Sequence, residues 1–235
     1  MKAKKTRSPC LLLTCEHASN KVPTWLRQSF LEHYGSKILA THRAYDLHAK
    51  ELCHRLHRKA GAPVYYGKWT RLCIDLNRSL ENPAIWSSFG RTLPESSRRR
   101  LLDYYLEYRA SVESFIGIAS SSGPVLHISV HSFTPVLGRQ LRNCDLGILY
   151  DPARKREKSL ALALQAAFQS SGLRVRRNFP YRGTADGCTT WLRRKFSDSV
   201  YSGLELEMNQ GSSNQMSKVV DHLGQFLTSK SIRQC

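Results

Sequence analysis

LLLTCEHASN, residues 11–20, drives three leucines into a cluster of polar side chains: Cys15, Glu16, His17, Ser19 and Asn20. An apolar run that breaks off this way reads as a buried strand, at about 11–15, delivering polar groups to one edge of a sheet. Outward from it the pattern alternates. A helix is expected over 37–60, then strands at APVYYG (62–67) and RLCIDLN (71–77) and a helix over 94–118. Strands follow at PVLHISV (124–130) and LGILY (146–150), with a helix over 157–171 stopped by Gly172. LRVRRNF (173–179) reads as a strand, 187–196 as a helix, GLELEMN (203–209) as a strand and 212–228 as a closing helix. Strands alternating with helices predict an α/β fold, a largely parallel sheet with helices on both faces in a three-layer sandwich.

The chain has 235 residues, 41% of them hydrophobic, and no Gly/Ser/Pro stretch long enough to be a linker. The expected organisation is a basic N-terminal tail over 1–9 and a single domain over 10–235. No apolar stretch approaches the roughly 20 residues of a membrane-spanning helix. MKAKKTRSP is followed by only three leucines, too few for a signal-peptide core, so the expected compartment is the cytoplasm. Seven widely spaced cysteines form no CxxC pair and read as small buried hydrophobes. The net charge of +18 sits in short runs such as SRRR (97–100), ARKRE (153–157) and RVRR (174–177). Dispersed positive charge attracts polyanions non-specifically. No helix-turn-helix, zinc-finger or aromatic–basic RNA-binding pattern accompanies it, so dedicated nucleic-acid binding is not expected.

Ligands of open α/β sheets bind beyond the carboxyl ends of the strands, and there the polar residues converge. Strand one ends in Glu16-His17, the 71–77 segment in Asp75, Asn77 and Arg78, the 124–130 strand in His131-Ser132, and the last strand carries Glu205 and Glu207. A lone histidine is most often a hydrogen-bonded packing residue. Two, each just past an apolar strand, suggest a zinc site of three protein ligands with one position left for water. Candidates for the third ligand are Glu16, Asp46 and, on the same stretch as Asp46, His42 and His48. Arg78 suits a bidentate clamp on a substrate carboxylate, with Arg71 a weaker version. Glu205 and Glu207 share one strand face, so each needs a cation, a metal or a shared proton, and a carboxylate beside zinc-bound water is a suitable general base.

LLLTCEHASNKVP, HRAYD, RLCIDLNR, HISVHSFTP, NFPYRG and GLELEMNQ occur in this order across residues 11–210 and resemble the N-formylglutamate amidohydrolase family. IDLNR and ISVHSF also resemble motifs of the zinc carboxypeptidases, to which that family is distantly similar. The resemblance implies a phosphorylase/hydrolase-like fold with a mixed, mostly parallel sheet and one catalytic zinc per chain. It implies that His17 and His131 are metal ligands, with Asp46 as the third and Glu16 second to it. It implies that Glu207 is the general base, that Asn77 and Arg78 hold a substrate carboxylate and polarise the scissile carbonyl, and that Ser132, Glu205 and Gln210 belong to the same substrate site. Carboxypeptidases place a glutamate three residues after the first histidine, whereas here that residue is Asn20. CEHASN also departs from the PHSG form of the first motif that named members often carry.

The expected activity is zinc-dependent hydrolysis of the N-acyl, first of all N-formyl, amide of a small anionic amino acid such as N-formyl-L-glutamate. The alternatives are a carboxypeptidase- or amidase-like hydrolase of a peptide or cell-wall fragment, and a basic polyanion- or nucleic-acid-binding protein on a retired hydrolase fold.

Overall fold

The computed structural model describes residues 9–228, so of the basic tail expected over 1–9 only Pro9 is described, and residues 229–235 of the expected domain also lie outside the described residues. In chain order the elements are β1 (Cys10–Cys15), α1 (Arg27–Tyr34), α2 (Ala49–Ala60), β2 (Val64–Tyr66), α3 (Ser88–Thr92), α4 (Glu95–Ala119) and β3 (Val125–Phe133). A small hairpin, β4 (Val136–Leu137) and β5 (Gln140–Leu141), leads to β6 (Leu146–Leu149), α5 (Lys155–Gln169) and β7 (Val175–Arg177). The chain closes with α6 (Cys188–Lys195), β8 (Tyr201–Asn209) and α7 (Met216–Thr228). Six strands make one sheet in the order β2-β1-β3-β8-β6-β7. Neighbours run parallel except β6 and β8, which are antiparallel, so the sheet is mixed and mostly parallel.

Both central strands, β3 and β8, are buried along their whole nine-residue length, as strands covered on both faces must be. Alternation then sorts their side chains. Leu126, Ile128 and Val130 of β3 join Leu204, Leu206 and Met208 of β8 in a core under α2, α5 and α7. Val125 and Tyr201 belong to a second core, under α1, α3, α4 and α6. The residues between, His127, Ser129 and His131 on β3 and Glu205 and Glu207 on β8, share that second face. Register makes them neighbours, pairing Ser129 with Glu205 and His131 with Glu207.

Three expected elements differ. The helix expected over 37–60 begins only at Ala49, and the residues before it form a short 3-10 turn, Lys37–Ala40, and further turns. The backbone there bonds outward: Asp46 N–H donates to His17 O, and His48 takes the left-handed conformation at φ 66° before the helix starts. Where the helix ends, Gly61 adopts φ 64°, the left-handed cap that glycine reaches without strain. The expected strand 71–77 is a series of turns. β1 already has β2 on one side and β3 on the other, and the Asp75 carboxylate takes the Asn77 N–H at 2.9 Å, a local bond that competes with a ladder. Leu72, Ile74 and Leu76 are buried all the same, in the second core. The strand expected over 173–179 is shorter, Val175–Arg177, and α1 and the β4–β5 hairpin were not expected. Among the described residues no helix is long and apolar enough to cross a membrane.

Candidate active site

Beyond the carboxyl ends of β1 and β3 two imidazoles turn toward one carboxylate. His131 Nδ1 lies 2.9 Å and His17 Nδ1 3.4 Å from the same oxygen, Asp46 Oδ2, and the ring centroids are 5.1 Å apart. One ligand atom from each of His17, Asp46 and His131 falls within 4.8 Å of the others, and all three residues are buried. The turn before α2 is what carries Asp46 here.

Each ring is held from behind. His17 Nε2 donates to Asp75 Oδ1 at 2.7 Å, and His131 Nε2 lies 2.9 Å from Ser129 Oγ and 3.3 Å from Glu16 Oε2. Glu16 in turn accepts from Ser129 Oγ at 2.7 Å and from Tyr108 OH at 3.1 Å. Thus Asp46 stands where the two Nδ1 atoms meet, and Glu16 backs the far nitrogen of His131. Imidazoles backed by carboxylates at the second nitrogen are the usual arrangement around a bound metal, because the outer bond fixes tautomer and ring orientation.

Arg71, a weaker clamp candidate in the sequence, is engaged with acids. Its Nη1 donates to Asp46 Oδ1 at 3.3 Å and its Nη2 to Asp75 Oδ2 at 2.9 Å. Arg78 lines the cavity beside these groups and donates from Nη1 to the carbonyls of Asn77 at 2.8 Å and Asp186 at 3.1 Å. Asn77 accepts from Cys188 N–H at 2.7 Å, with its Nδ2 3.4 Å from His131 Nε2. Ser132 donates its N–H to Asp46 Oδ2 at 3.3 Å and accepts from Gln210 Nε2 at 3.1 Å, so Gln210 reaches the site through Ser132. Glu205 accepts from Thr189 Oγ1, while Glu207 Oε2 is buried without a hydrogen-bond partner among the described residues.

The cavity these residues line measures about 120 Å³ and is completed by Tyr181, Arg182, Ala185 and Asp186. The sequence singles out none of these four, although Tyr181 and Arg182 fall within the NFPYRG motif. The sequence does not mark Asp75 and Ser129 as ring-backing groups, nor Tyr108 as the partner of Glu16, because nothing local shows which residue across the fold each one meets.

Charge is unevenly balanced. Burial alone would push the carboxyls of Asp46, Asp75 and Glu16 up, but hydrogen bonds and positive neighbours hold all three well below the usual range, Arg71 acting on Asp75 and the imidazoles on Asp46 and Glu16. Burial would likewise lower His131, yet Asp46 and Glu16 outweigh it and raise the imidazole well above its ordinary value. Glu207 goes the other way: burial, joined by the charges of Asp46 and Glu205 and opposed by His131, pushes its carboxyl up to about 8. Buried carboxylates that draw protons onto their neighbours make a site short of positive charge. Nitrogen and oxygen donors converging in such a place fit a divalent ion such as zinc.

A family model for N-formylglutamate amidohydrolase matches residues 9–212. No curated protein matches the chain. Among solved structures, gene product Atu2144 from Agrobacterium tumefaciens shares 27% identity at a TM-score of 0.78, covering 93% of this chain and 89% of that one. The N-formylglutamate amidohydrolase from Ralstonia eutropha JMP134 shares 17% identity at a TM-score of 0.63, covering 95% and 93%, a likeness of fold alone. The family match spans β1, β3 and β8 together with the turn that carries Asp46, and on it the chain belongs to the N-formylglutamate amidohydrolase family, amidohydrolases that act on a carbon–nitrogen bond.

Proposed function

We propose that this amidohydrolase is zinc-dependent and cleaves the N-acyl, foremost the N-formyl, amide of a small carboxylate-bearing amino acid such as N-formyl-L-glutamate, in the cytoplasm. The observation that supports this most is the meeting of His17, Asp46 and His131 within 4.8 Å, with Glu207 paired beside His131 on the next strand. When bound, zinc supplies Lewis acidity, lowering the pKa of water toward about 7 and polarising the acyl carbonyl.

In this reading His17, Asp46 and His131 are the ligands, and Asp75, Glu16 and Ser129 hold the rings so that the two Nδ1 atoms face inward. Glu207 takes the proton of the attacking water and returns it to the leaving amine; a bound cation beside it would hold its carboxyl in the ionised form that a base needs. Arg78 pairs with the substrate carboxylate and with negative charge developing on the acyl oxygen, and Asn77 orients the amide. Glu205, Ser132 and Gln210 shape the wall. Arg71, already bound to Asp46 and Asp75, steadies those carboxylates rather than gripping substrate. The small cavity favours a free N-acyl amino acid over a peptide or cell-wall fragment.

Metal analysis of purified protein together with a panel of N-formyl and N-acetyl amino acids, assayed with and without added zinc, tests this. About one zinc per chain and metal-dependent release of the acyl group are expected. Undiminished hydrolysis by a metal-free His131→Ala variant would end the zinc reading.

A further inference from the structure

We propose that Arg109 is a positioning residue that holds the Asn77–Arg78 turn in its working place, an inference that rests on the substrate role proposed above for Arg78. Arg109 lies in the middle of α4, 3% exposed, away from the cavity wall. Its Nη2 donates to Leu76 O at 2.8 Å and to Arg78 O at 3.0 Å, the two carbonyls that flank Asn77 along the chain. One helical turn earlier, Tyr105 OH donates to the same Arg78 oxygen at 2.8 Å. The guanidinium stands against two rings, 5.1 Å from Tyr105 and 4.9 Å from Trp191.

What the guanidinium lacks is as informative. Among the described residues it forms no salt bridge, and its Nε and Nη1 are buried without a hydrogen-bond partner. A buried charge without an ionic partner is costly, and a leucine or methionine at this point of a helix would avoid the cost. Local rules broken this way are expected where function demands it. The demand lies in the turn it touches. Residues 71–78 belong to neither sheet nor helix, and few backbone bonds hold them, Asp75 N–H to Ile85 O and Arg78 N–H to Asp75 O among them. Yet Asn77 lies against His131, and Arg78 lines the cavity. Charge-assisted bonds to the carbonyls on either side of Asn77 supply, from a rigid helix, the anchoring that a strand ladder would otherwise give. A misplacement of about 1 Å in such a group can cost about 100-fold in rate.

A double-mutant cycle on N-formyl-L-glutamate tests this, using Arg109→Met, which fills similar space without donors or charge, alone and with Arg78→Ala. Arg109→Met is expected to lower kcat/KM by about 30- to 100-fold, through both KM and kcat, because Arg78 meets the substrate carboxylate and the developing acyl-oxygen charge alike. In the Arg78→Ala background it should cost several-fold less, because only the displacement of Asn77 is then left to lose. Tyr105→Phe deletes only a hydroxyl and should lower kcat/KM by about 3- to 10-fold, with the same non-additivity. Equal losses in the two backgrounds overturn the proposal, as does an Arg109→Met protein that melts lower but keeps its kcat/KM. Should Arg109→Met fail to fold, the Tyr105→Phe cycle decides. Amide hydrogen exchange supplies a readout independent of activity. Either variant should speed exchange over residues 76–79 while β3 and β8 stay protected, and unchanged exchange at the turn overturns the inference. A wild-type chain that leaves N-formyl-L-glutamate intact counts against the proposed function instead, and the exchange arm then decides the role of Arg109.

Discussion

His127 makes a quantitative prediction about acid stability. The side chain lies on β3, fully buried, with Nε2 2.8 Å from Thr14 Oγ1 and Nδ1 2.8 Å from Tyr201 OH. Both partners are neutral hydroxyls. Burial, reinforced by the positive charges of Arg193, His131 and Arg109 and opposed by Glu16, lowers the imidazole from 6.5 to about 4. As pH falls below 6.5 the unfolded chain takes up this proton while the folded chain refuses it until about 4. Folding stability therefore decreases with falling pH across that window. The full displacement corresponds to about 3 kcal/mol at about 1.4 kcal/mol per tenfold change in proton affinity, of which about 2 kcal/mol is lost between pH 7 and pH 5. Other groups respond over the same range: Glu207 and His131, both raised, gain relative stability as the solution is acidified. Comparison with a His127→Gln variant removes them, since they are common to both proteins. Urea melts followed by tryptophan fluorescence at pH 7 and pH 5 should show the wild type losing about 2 kcal/mol more than His127→Gln. A difference between the two proteins below about 0.5 kcal/mol would refute the claim that the imidazole is held neutral.

Glu207→Gln should retain zinc but lose about 100- to 10,000-fold in kcat, read by metal analysis alongside initial rates; if Glu205→Gln produces that pattern instead, the base has been assigned to the wrong strand position. Gly187, just before α6, lies close under Asn77, and a Cβ there would come 2.8 Å from Asn77 Oδ1, the movable end of that side chain. Gly187→Ala should therefore push Asn77 aside and lower kcat/KM by about tenfold, with a melting temperature within about 3 °C of wild type, and an unchanged kcat/KM would show that Asn77 tolerates displacement.

How much of this was legible in the sequence depends on whether a residue's neighbours lie along the chain or across it. β1 is readable as an apolar run that breaks into polar residues and β3 and β8 by their apolar alternation, and their polar ends put His17, His131, Glu205 and Glu207 at one sheet edge. Asp46 was harder. THRAYDLHA has the look of a helix, and only resemblance favoured its aspartate over Glu16; its place depends on a backbone bond to His17 that no local pattern reveals. RLCIDLN alternates like a strand and buries its apolar residues as one would, but the sheet has no place beside β1 for it and Asp75 folds back on its own backbone. The groups backing the imidazoles were invisible for the same reason: Tyr108 and Glu16 meet across 92 residues, Ser129 and Glu16 across 113.

The side-by-side register of β3 and β8 makes catalysis a reporter of folding. Sliding one strand by a single residue against the other would set Leu206 or Met208 beside His131 and turn Glu207 into the oily layer beneath α7. On the role proposed above for Glu207, a form misaligned at this pair is inactive, so in a refolding experiment with zinc in excess the recovery of turnover counts correctly zipped molecules. An activity trace that lags behind the return of helical circular dichroism would then time the pairing of these two strands.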